Sequence, residues 1–558
     1  METMAHFFSI KASRFGWMKF NFQFRIYHFF LFLILILAAF LRVYRIDEYM
    51  TFLGDEGRDV LVVREIIQGV EKVFQGDFSS AQEKLTLLGP TASVGGFFLG
   101  PIYYYFMAPF LWLFNFNPVG PAVMVAIFGV ATVWLVYKVG SDFFNPFVGI
   151  LAAFLYAISP VIIAYSRSSW NPNLMPFFSL LALYTVYLAV KKHSLLLFFV
   201  CGFLLGIAMQ LHYLTVFLGS IVAVYVLIST YTKFSFFSKI TQMICILLGF
   251  LVGLAPFFAF EVRHGFPNMQ SIIRFIFFSG ETGSNENFLV VIDNVFFRLF
   301  GRLIGAFPSP EQVSFQESVA TMDLFFTKFT IAVGAWYLFI LLLAFLSISL
   351  FLYQWYRALR SGKRNLAMML IFIWFVMGIG LFGFYKKSIY DYYFGFLFPL
   401  PFFLIGNFLY ALWKRNLWYK AVGIIIFILL LILNIQGIPF RYTANRQLVQ
   451  VKQIAEFVLE KTEGKPFNFA LITGGNSDHG YRYFFALADK DPIKIENTQM
   501  DPKRTTVTNQ LLIICETVPC YPLGHPLWEI AGFGRAEIVG EWSASVVKVY
   551  KMKHYKQD

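Results

Sequence analysis

Long apolar stretches separated by short polar clusters fill the chain up to about residue 439. A bilayer-spanning helix needs about 20 apolar residues. Runs of that kind occur near 26–43, 97–116, 119–137, 146–165, 174–190, 195–212, 214–230, 241–260, 325–353, 366–385, 391–411 and 419–438. The first run follows a basic tail, residues 1–25, and no small-residue cleavage site comes after it, so it reads as a retained anchor.

The charges between the runs decide how many of them cross. Lys11, Arg14, Lys19 and Arg25 place the N-terminus in the cytoplasm. If all twelve runs crossed, Lys191/Lys192, Lys233/Lys239, Arg357/Arg360/Lys363/Arg364 and Lys414/Arg415/Lys420 would all fall outside. Removing one early crossing brings every cluster inside. The run 97–116 is the one to remove, because Pro101 and Pro109 interrupt it and Tyr103, Tyr104, Tyr105 and Trp112 suit an interfacial helix. The expectation is eleven crossings plus one interfacial helix, in a transmembrane region spanning 26–439. Outside loops follow at 44–118, 166–173 and 261–324.

From residue 440 to 558 charge returns and the apolar runs shorten. A helical pattern over 446–461 precedes strand-like runs at 467–472, 511–515, 536–539 and 546–550, which predicts a small soluble α/β domain outside the membrane. The fold class expected is thus an all-α polytopic membrane protein with a C-terminal extracytoplasmic α/β domain.

Composition agrees. Of 558 residues 58% are hydrophobic and 14% charged, against about 25% charged in a soluble domain. A cytosolic enzyme and a disordered chain are excluded. The net charge of +13 does not point to nucleic acid, because the cations sit in topology-setting clusters. No spacing of the four cysteines matches a zinc site. Cys515 and Cys520 share the tail, where an oxidising compartment permits a disulfide and the spacing does not demand one.

The chemistry-bearing residues gather at the outer helix ends. The first outside loop opens with Phe52-Leu53-Gly54-Asp55-Glu56-Gly57-Arg58-Asp59 ahead of a helical stretch. Asp55 suits a general base toward a hydroxyl; equally, it suits a helix N-cap with Glu56 in the first turn. The second loop carries Arg167, Asn171 and Asn173, where an arginine either pairs structurally or holds a phosphate. Arg263-His264 and Lys386-Lys387 lie at outer boundaries, the lysine pair against the positive-inside pattern and followed by Tyr390-Asp391-Tyr392-Tyr393. His212 reads as a packed histidine. Gly474 to His479 reads as a strand-to-helix turn without a phosphate-loop lysine.

The order of Asp55-Glu56-Gly57-Arg58, Arg64-Glu65, Gly100-Pro101-Ile102-Tyr103-Tyr104-Tyr105, Ser166-Arg167 with Pro176, and Lys387 to Pro399 resembles the GT-C superfamily of polytopic glycosyltransferases. It is most similar to glycosyltransferase family 39, which includes protein O-mannosyltransferases and lipid A aminoarabinose transferases. The likeness runs through the membrane region and not the tail. It implies transfer of a sugar from a polyprenyl-phosphate donor to an acceptor hydroxyl at the outer face, with inversion. Asp55 and Glu56 are then the catalytic candidates, Asp55 as base. Arg167, Lys386, Lys387, Arg263 and His264 are candidates for the lipid phosphate. Arg58, Asn171, Asn173, Tyr392 and Tyr393 shape the loops or meet the acceptor.

Where the family commonly has an acid after the second-loop arginine, this chain has Asn171 and Asn173, so no metal or other cofactor is expected, rather than a divalent ion at Asp55. The expected partners are the lipid-linked donor, a lipid, glycan or protein acceptor, and membrane lipids. The expected location is the plasma (inner) membrane, N-terminus in the cytoplasm and C-terminus outside. A lipid or polysaccharide transporter or flippase is the alternative, but such a protein carries ionisable residues near mid-span.

Overall fold

The computed structural model describes residues 26–92, 96–229, 236–277, 288–306, 331–362, 365–385 and 389–555. The basic tail 1–25, parts of the third outside loop, and Lys386 and Lys387 lie outside the described residues.

Within the described residues every apolar run contains helix. The first is α1 (Ile26–Val43). The first outside loop holds α2 (Ile46–Tyr49), α3 (Gly54–Phe74), α4 (Phe78–Lys84) and α5 (Ile102–Leu113). Then come α6 (Val119–Phe143), α7 (Pro146–Ile158), α8 (Pro160–Tyr165), α9 (Met175–Lys192), α10 (Leu195–Leu211), α11 (Thr215–Ser229), α12 (Phe236–Gly253), α13 (Ala255–His264), α14 (Pro267–Phe277) and α15 (Phe288–Phe296). The membrane region closes with α16 (Ile331–Arg360), α17 (Leu366–Gly380), α18 (Pro399–Trp413) and α19 (Leu417–Gln436).

Among the described residues six helical segments are long and apolar enough to cross a bilayer, seven if the bent pair α12 and α13 is one span, and five apolar helices are shorter. The chain is a multi-pass membrane protein. The candidate interfacial run forms α5, of 12 residues, about 18 Å long and shorter than a hydrocarbon core of about 30 Å.

Two of the expected spans are broken, each at a proline. Pro160 holds Ser159 extended and parts α7 from α8, and the freed Ser159 hydroxyl donates to the Leu303 carbonyl at 2.7 Å. Pro256 opens α13, which leaves α12 at 77°. Between α10 and α12, Gly202 and Gly206 face Gly249 and Gly253, so close that a Cβ on Gly202 would stand 1.9 Å from the Ile246 carbonyl oxygen. Small residues four apart on both helices permit this approach.

The tail comprises α20 (Gln447–Lys461), β1 (Asn468–Ile472), α21 (His479–Leu487), β2 (Leu511–Cys515), α22 (Trp528–Ala531), β3 (Ala536–Ala544) and β4 (Val547–His554). The sheet order is β1-β2-β4-β3, with β1 parallel to β2 and the other pairs antiparallel. β1 and β2 are buried throughout, which is why their uninterrupted apolar runs were readable. β3 and β4 extend beyond their apolar runs because Glu541, Ser543, Lys551 and Lys553 pair within the hairpin ladder. Cys515 and Cys520 are disulfide-bonded.

The tail is docked on the membrane region through α3. Phe52, fully buried, sits with its ring centroid 5.8 Å from Phe484 and 6.3 Å from Tyr483, both on α21. Arg64 donates to the Ala486 carbonyl at 3.0 Å. A Cβ on Gly57 would lie 2.3 Å from the backbone nitrogen of Gly480, where no side chain is free to yield. Gly57→Ala is expected to destabilise the docked state by about 1–3 kcal/mol. Thermal unfolding in detergent should show a lower Tm, with faster proteolysis near residue 445. Gly219→Ala, where a Cβ meets nothing within 4 Å, should leave both unchanged.

Candidate active site

The N-terminus of α3 forms one wall of a cavity of about 1230 Å³ between the tail and the ends of the membrane helices that face it. The three acids of its first two turns have been separated by burial. Asp55 is half exposed, lines the cavity, and is held through Oδ1 by Arg58 Nη1 at 3.0 Å. Glu56 is buried and turned back into the helix end: Oε1 accepts from the Thr51 hydroxyl at 2.5 Å and Oε2 from the Leu53 N–H at 3.1 Å. Burial raises Glu56 above the ordinary carboxylate range.

Asp59 is fully buried. Its Oδ1 accepts from Arg58 Nε at 3.0 Å, Arg58 Nη2 at 2.8 Å and the Tyr104 hydroxyl at 3.3 Å, while Oδ2 has no hydrogen-bond partner among the described residues. Burial pushes Asp59 up to about 7, against the pull of Arg58. Arg58 thus bridges a buried acid and a solvent-facing one.

A second wall is cationic. After α15 the chain makes a π-helical turn, Phe297–Arg302, that puts Arg298 and Arg302 four residues apart on the cavity. Arg298 Nη1 lies 2.6 Å from Asp391 Oδ1, and Arg302 Nε lies 2.8 Å from Oδ2. All three side chains are more than nine-tenths buried. Two guanidiniums therefore share one carboxylate, and the buried Nη1 of Arg302 has no hydrogen-bond partner among the described residues. Between the walls stand Trp170 and Tyr392, ring centroids 4.3 Å apart, with Tyr390 stacked on Tyr392.

The tail supplies the remaining wall: Thr473 to Ser477, Tyr481 and Glu516. Glu516 accepts from the Thr473 hydroxyl at 2.7 Å, the Tyr481 hydroxyl at 2.8 Å and Asn476 Nδ2 at 3.0 Å. Ser477 Oγ and His479 Nδ1 are 2.7 Å apart, and burial lowers His479 below the ordinary imidazole value.

The expected site residues fall into four groups. Asp55, Asn173 and Tyr392 line the large cavity. Arg58, Asn171 and Tyr393 border a small neighbouring cavity of about 30 Å³ that shares Asp55, Trp170 and Tyr392 with it. Glu56 and Arg167 reach the cavity but are committed to structure. Arg167 is buried and donates to the carbonyls of Leu41 at 3.0 Å, Tyr44 at 2.8 Å and Arg45 at 3.0 Å, which caps the end of α1. Asn171 likewise donates to the Leu211 carbonyl at 2.6 Å.

Arg263 and His264 stand apart at the exposed end of α13, and neither lines the cavity. The buried acid there, Glu261, binds Asn268 and the backbone of the next turn. His212 is packed on Tyr213 with centroids 4.7 Å apart, as expected. Three features escaped sequence reasoning: the Arg298–Asp391–Arg302 cluster, buried Asp59, and the Gly474–His479 turn as part of the cavity. For Asp59 a signal existed, since it lies four residues beyond Asp55 and one beyond Arg58.

Residues 99–260 match the dolichyl-phosphate-mannose-protein mannosyltransferase family. That stretch contains the Gly100-Pro101 and Ser166-Arg167 segments and excludes the Asp55 loop. No curated protein sequence matches the chain. Among solved structures, ArnT from Cupriavidus metallidurans bound to undecaprenyl phosphate is similar with a TM-score of 0.56 at 12% identity, over 93% of this chain and 97% of that one. The archaeal oligosaccharyltransferase AglB from Archaeoglobus fulgidus, in complex with an inhibitory peptide and a dolichol-phosphate, gives 0.52 at 15%, over 88% of this chain and 70% of that one. The apo A. fulgidus oligosaccharyltransferase gives 0.51 at 16%, over 84% of this chain, which spans only 64% of that protein's length. The fold is the GT-C membrane fold, as the resemblance implied, and it carries the C-terminal α/β domain that the pattern of the tail predicted. Glycosyltransferase is the class common to the matched family and these structures.

The buried state of Asp59 has a consequence for stability. Its folded-state pKa lies above the unfolded value, so the stability it contributes is present at low pH and lost as pH rises from 3.8 to about 7. Wild type should lose stability relative to Asp59→Asn across that window, with a constant difference above it. Parallel melting-temperature curves from pH 4 to 8 would show that Asp59 ionises as an ordinary carboxylate.

Proposed function

We propose that this chain is a membrane glycosyltransferase that moves a sugar from a polyprenyl-phosphate carrier to an acceptor hydroxyl at the extracytoplasmic face. The observation that carries the reading is one cavity that presents a solvent-facing carboxylate, Asp55, and a buried pair of arginines sharing a single acid. The wall where Arg298 and Arg302 share only Asp391 keeps a net positive charge, which suits a phosphodiester at headgroup depth. The aromatic faces of Trp170 and Tyr392 suit the apolar face of a sugar ring.

In the reaction, Asp55 takes the proton of the acceptor hydroxyl as its oxygen attacks the anomeric carbon. The bond from that carbon to the phosphate oxygen breaks, and the polyprenyl phosphate leaves with the electron pair. Arg298 and Arg302 stabilise the charge that develops on it. A single displacement inverts the anomeric centre. Arg58 positions Asp55 through Oδ1 and leaves the rest of the carboxylate toward the cavity. We infer that no metal takes part: Glu56 closes the helix end, Asp59 is tied to Arg58, and asparagines stand at 171 and 173. The disulfide between Cys515 and Cys520 supports an outside location for the tail; with eleven crossings the N-terminus then lies in the cytoplasm, and we place the protein in the plasma (inner) membrane. Lipid, glycan and protein hydroxyls all fit the proposed acceptor.

Purified protein given labelled polyprenyl-phosphate sugars should transfer the label, and Asp55→Asn should lower kcat by about 10²–10⁴-fold. Arg302→Ala should both lower kcat and raise KM for the donor, each about tenfold or more, with the acceptor KM unchanged. Equal turnover of wild type and Asp55→Asn would overturn the base assignment. A chelator should leave turnover unchanged. Substrate flux in proteoliposomes without transfer would identify a transporter.

A further inference from the structure

The residue before α3 is Leu53, whose side chain has nothing with which to cap a helix. Helices are normally capped by Ser, Thr, Asp or Asn at this position, whose oxygen accepts a first-turn N–H. Here the acceptor comes from the tail. Asn476 Oδ1 receives the Gly54 N–H at 2.9 Å, across 422 positions of sequence, and the Ser477 N–H at 2.9 Å. Its Nδ2 donates to Glu516 at 3.0 Å. Two N–H donors on one side and a carboxylate on the other fix which atom is oxygen and which is nitrogen. Glu516 is fixed in turn by the Thr473 and Tyr481 hydroxyls.

We propose that the tail is a built-in part of the active site and that Asn476, held by Glu516, is a positioning residue that sets the first turn of α3 and thereby aims Asp55. This rests on the function proposed above. Asp55 directly follows the amide that Asn476 holds, and the geometry leaves little slack: a Cβ on Gly54 would stand 2.0 Å from Ser477 Oγ. Glu56 secures the same turn from inside the helix through the Leu53 N–H. Removing the external cap frees the turn on the cavity side only, where the base sits. A small displacement of a positioned group can cost orders of magnitude in rate.

The test exploits the polarity of the pair. Asn476→Asp keeps an acceptor for Gly54 and Ser477 but sets one carboxylate against another. Glu516→Gln removes the acid and leaves two amides facing each other. Together they restore a pair with donor and acceptor exchanged. Asn476→Asp should lower kcat about tenfold or more with the donor KM unchanged, because the arginine wall is untouched, and Glu516→Gln, whose amide oxygen can still accept from Asn476, should cost less. The double variant should recover most of that loss. Amide hydrogen exchange over residues 52–57 should quicken in Asn476→Asp and slow again in the double variant. Wild-type exchange and kcat in Asn476→Asp, or a double variant no better than the worse single one, would overturn the proposal. If wild type transfers no sugar, the proposed function fails, and the exchange of residues 52–57 still decides whether Asn476 holds that turn.

Discussion

Hydrocarbon cannot solvate a charge or an unpaired peptide group, and the arrangement of this protein follows from that constraint. The apolar runs carry almost no ionisable residue at mid-span, so the polar and charged side chains gather at the helix ends, and those that line the cavity sit at the ends facing the tail. Where helix ends are buried there, side chains satisfy them. Arg167 closes the carbonyl end of α1, and the Ser159 hydroxyl ties the break between α7 and α8 to the turn that follows Arg302. The cavity is the space left where those ends diverge and the soluble domain covers them.

Within the cavity, burial divides roles among groups of the same chemistry. Three acids lie within five residues of one helix, yet only Asp55 meets solvent. Glu56 is turned into the helix end and Asp59 is sealed behind Tyr104, so both serve geometry. The arginines divide in a similar way. Arg58 binds two acids and Arg167 three carbonyls, whereas Arg298 and Arg302 share one carboxylate, and the Nη1 of Arg302 has no hydrogen-bond partner among the described residues. A charge count along the sequence cannot separate these cases, because partners rather than residue types set them apart.

The same distinction explains what was legible in the sequence. The spans, the α/β tail with β1 and β2, and Asp55 at a helix start follow from local signals: length, alternation and a motif within four residues. Arg298 and Arg302 looked like any boundary arginines, since the acid that binds them is about 90 positions away on a segment expected to begin a span. Arg263 and His264 gave the same local signal and point elsewhere, because the break at Pro256 turns α13 aside. The Gly474–His479 turn carries no motif, and its part in the cavity exists only through contact with Gly54 and Gly57.

That contact gives the two glycines of the first-loop motif a physical meaning beyond helix propensity. Glycine inside a helix is unfavourable by roughly 0.5–1 kcal/mol relative to alanine, and here it occurs twice in the first turn. The cost is offset by backbone-to-backbone approach: Gly57 against Gly480, and Gly54 against Ser477. A helix with larger residues at these positions would hold the soluble domain away and lose the cap that Asn476 provides. Acid and glycine in Gly54-Asp55-Glu56-Gly57 therefore act together, the acids supplying charge and the glycines the closeness that fixes where that charge points.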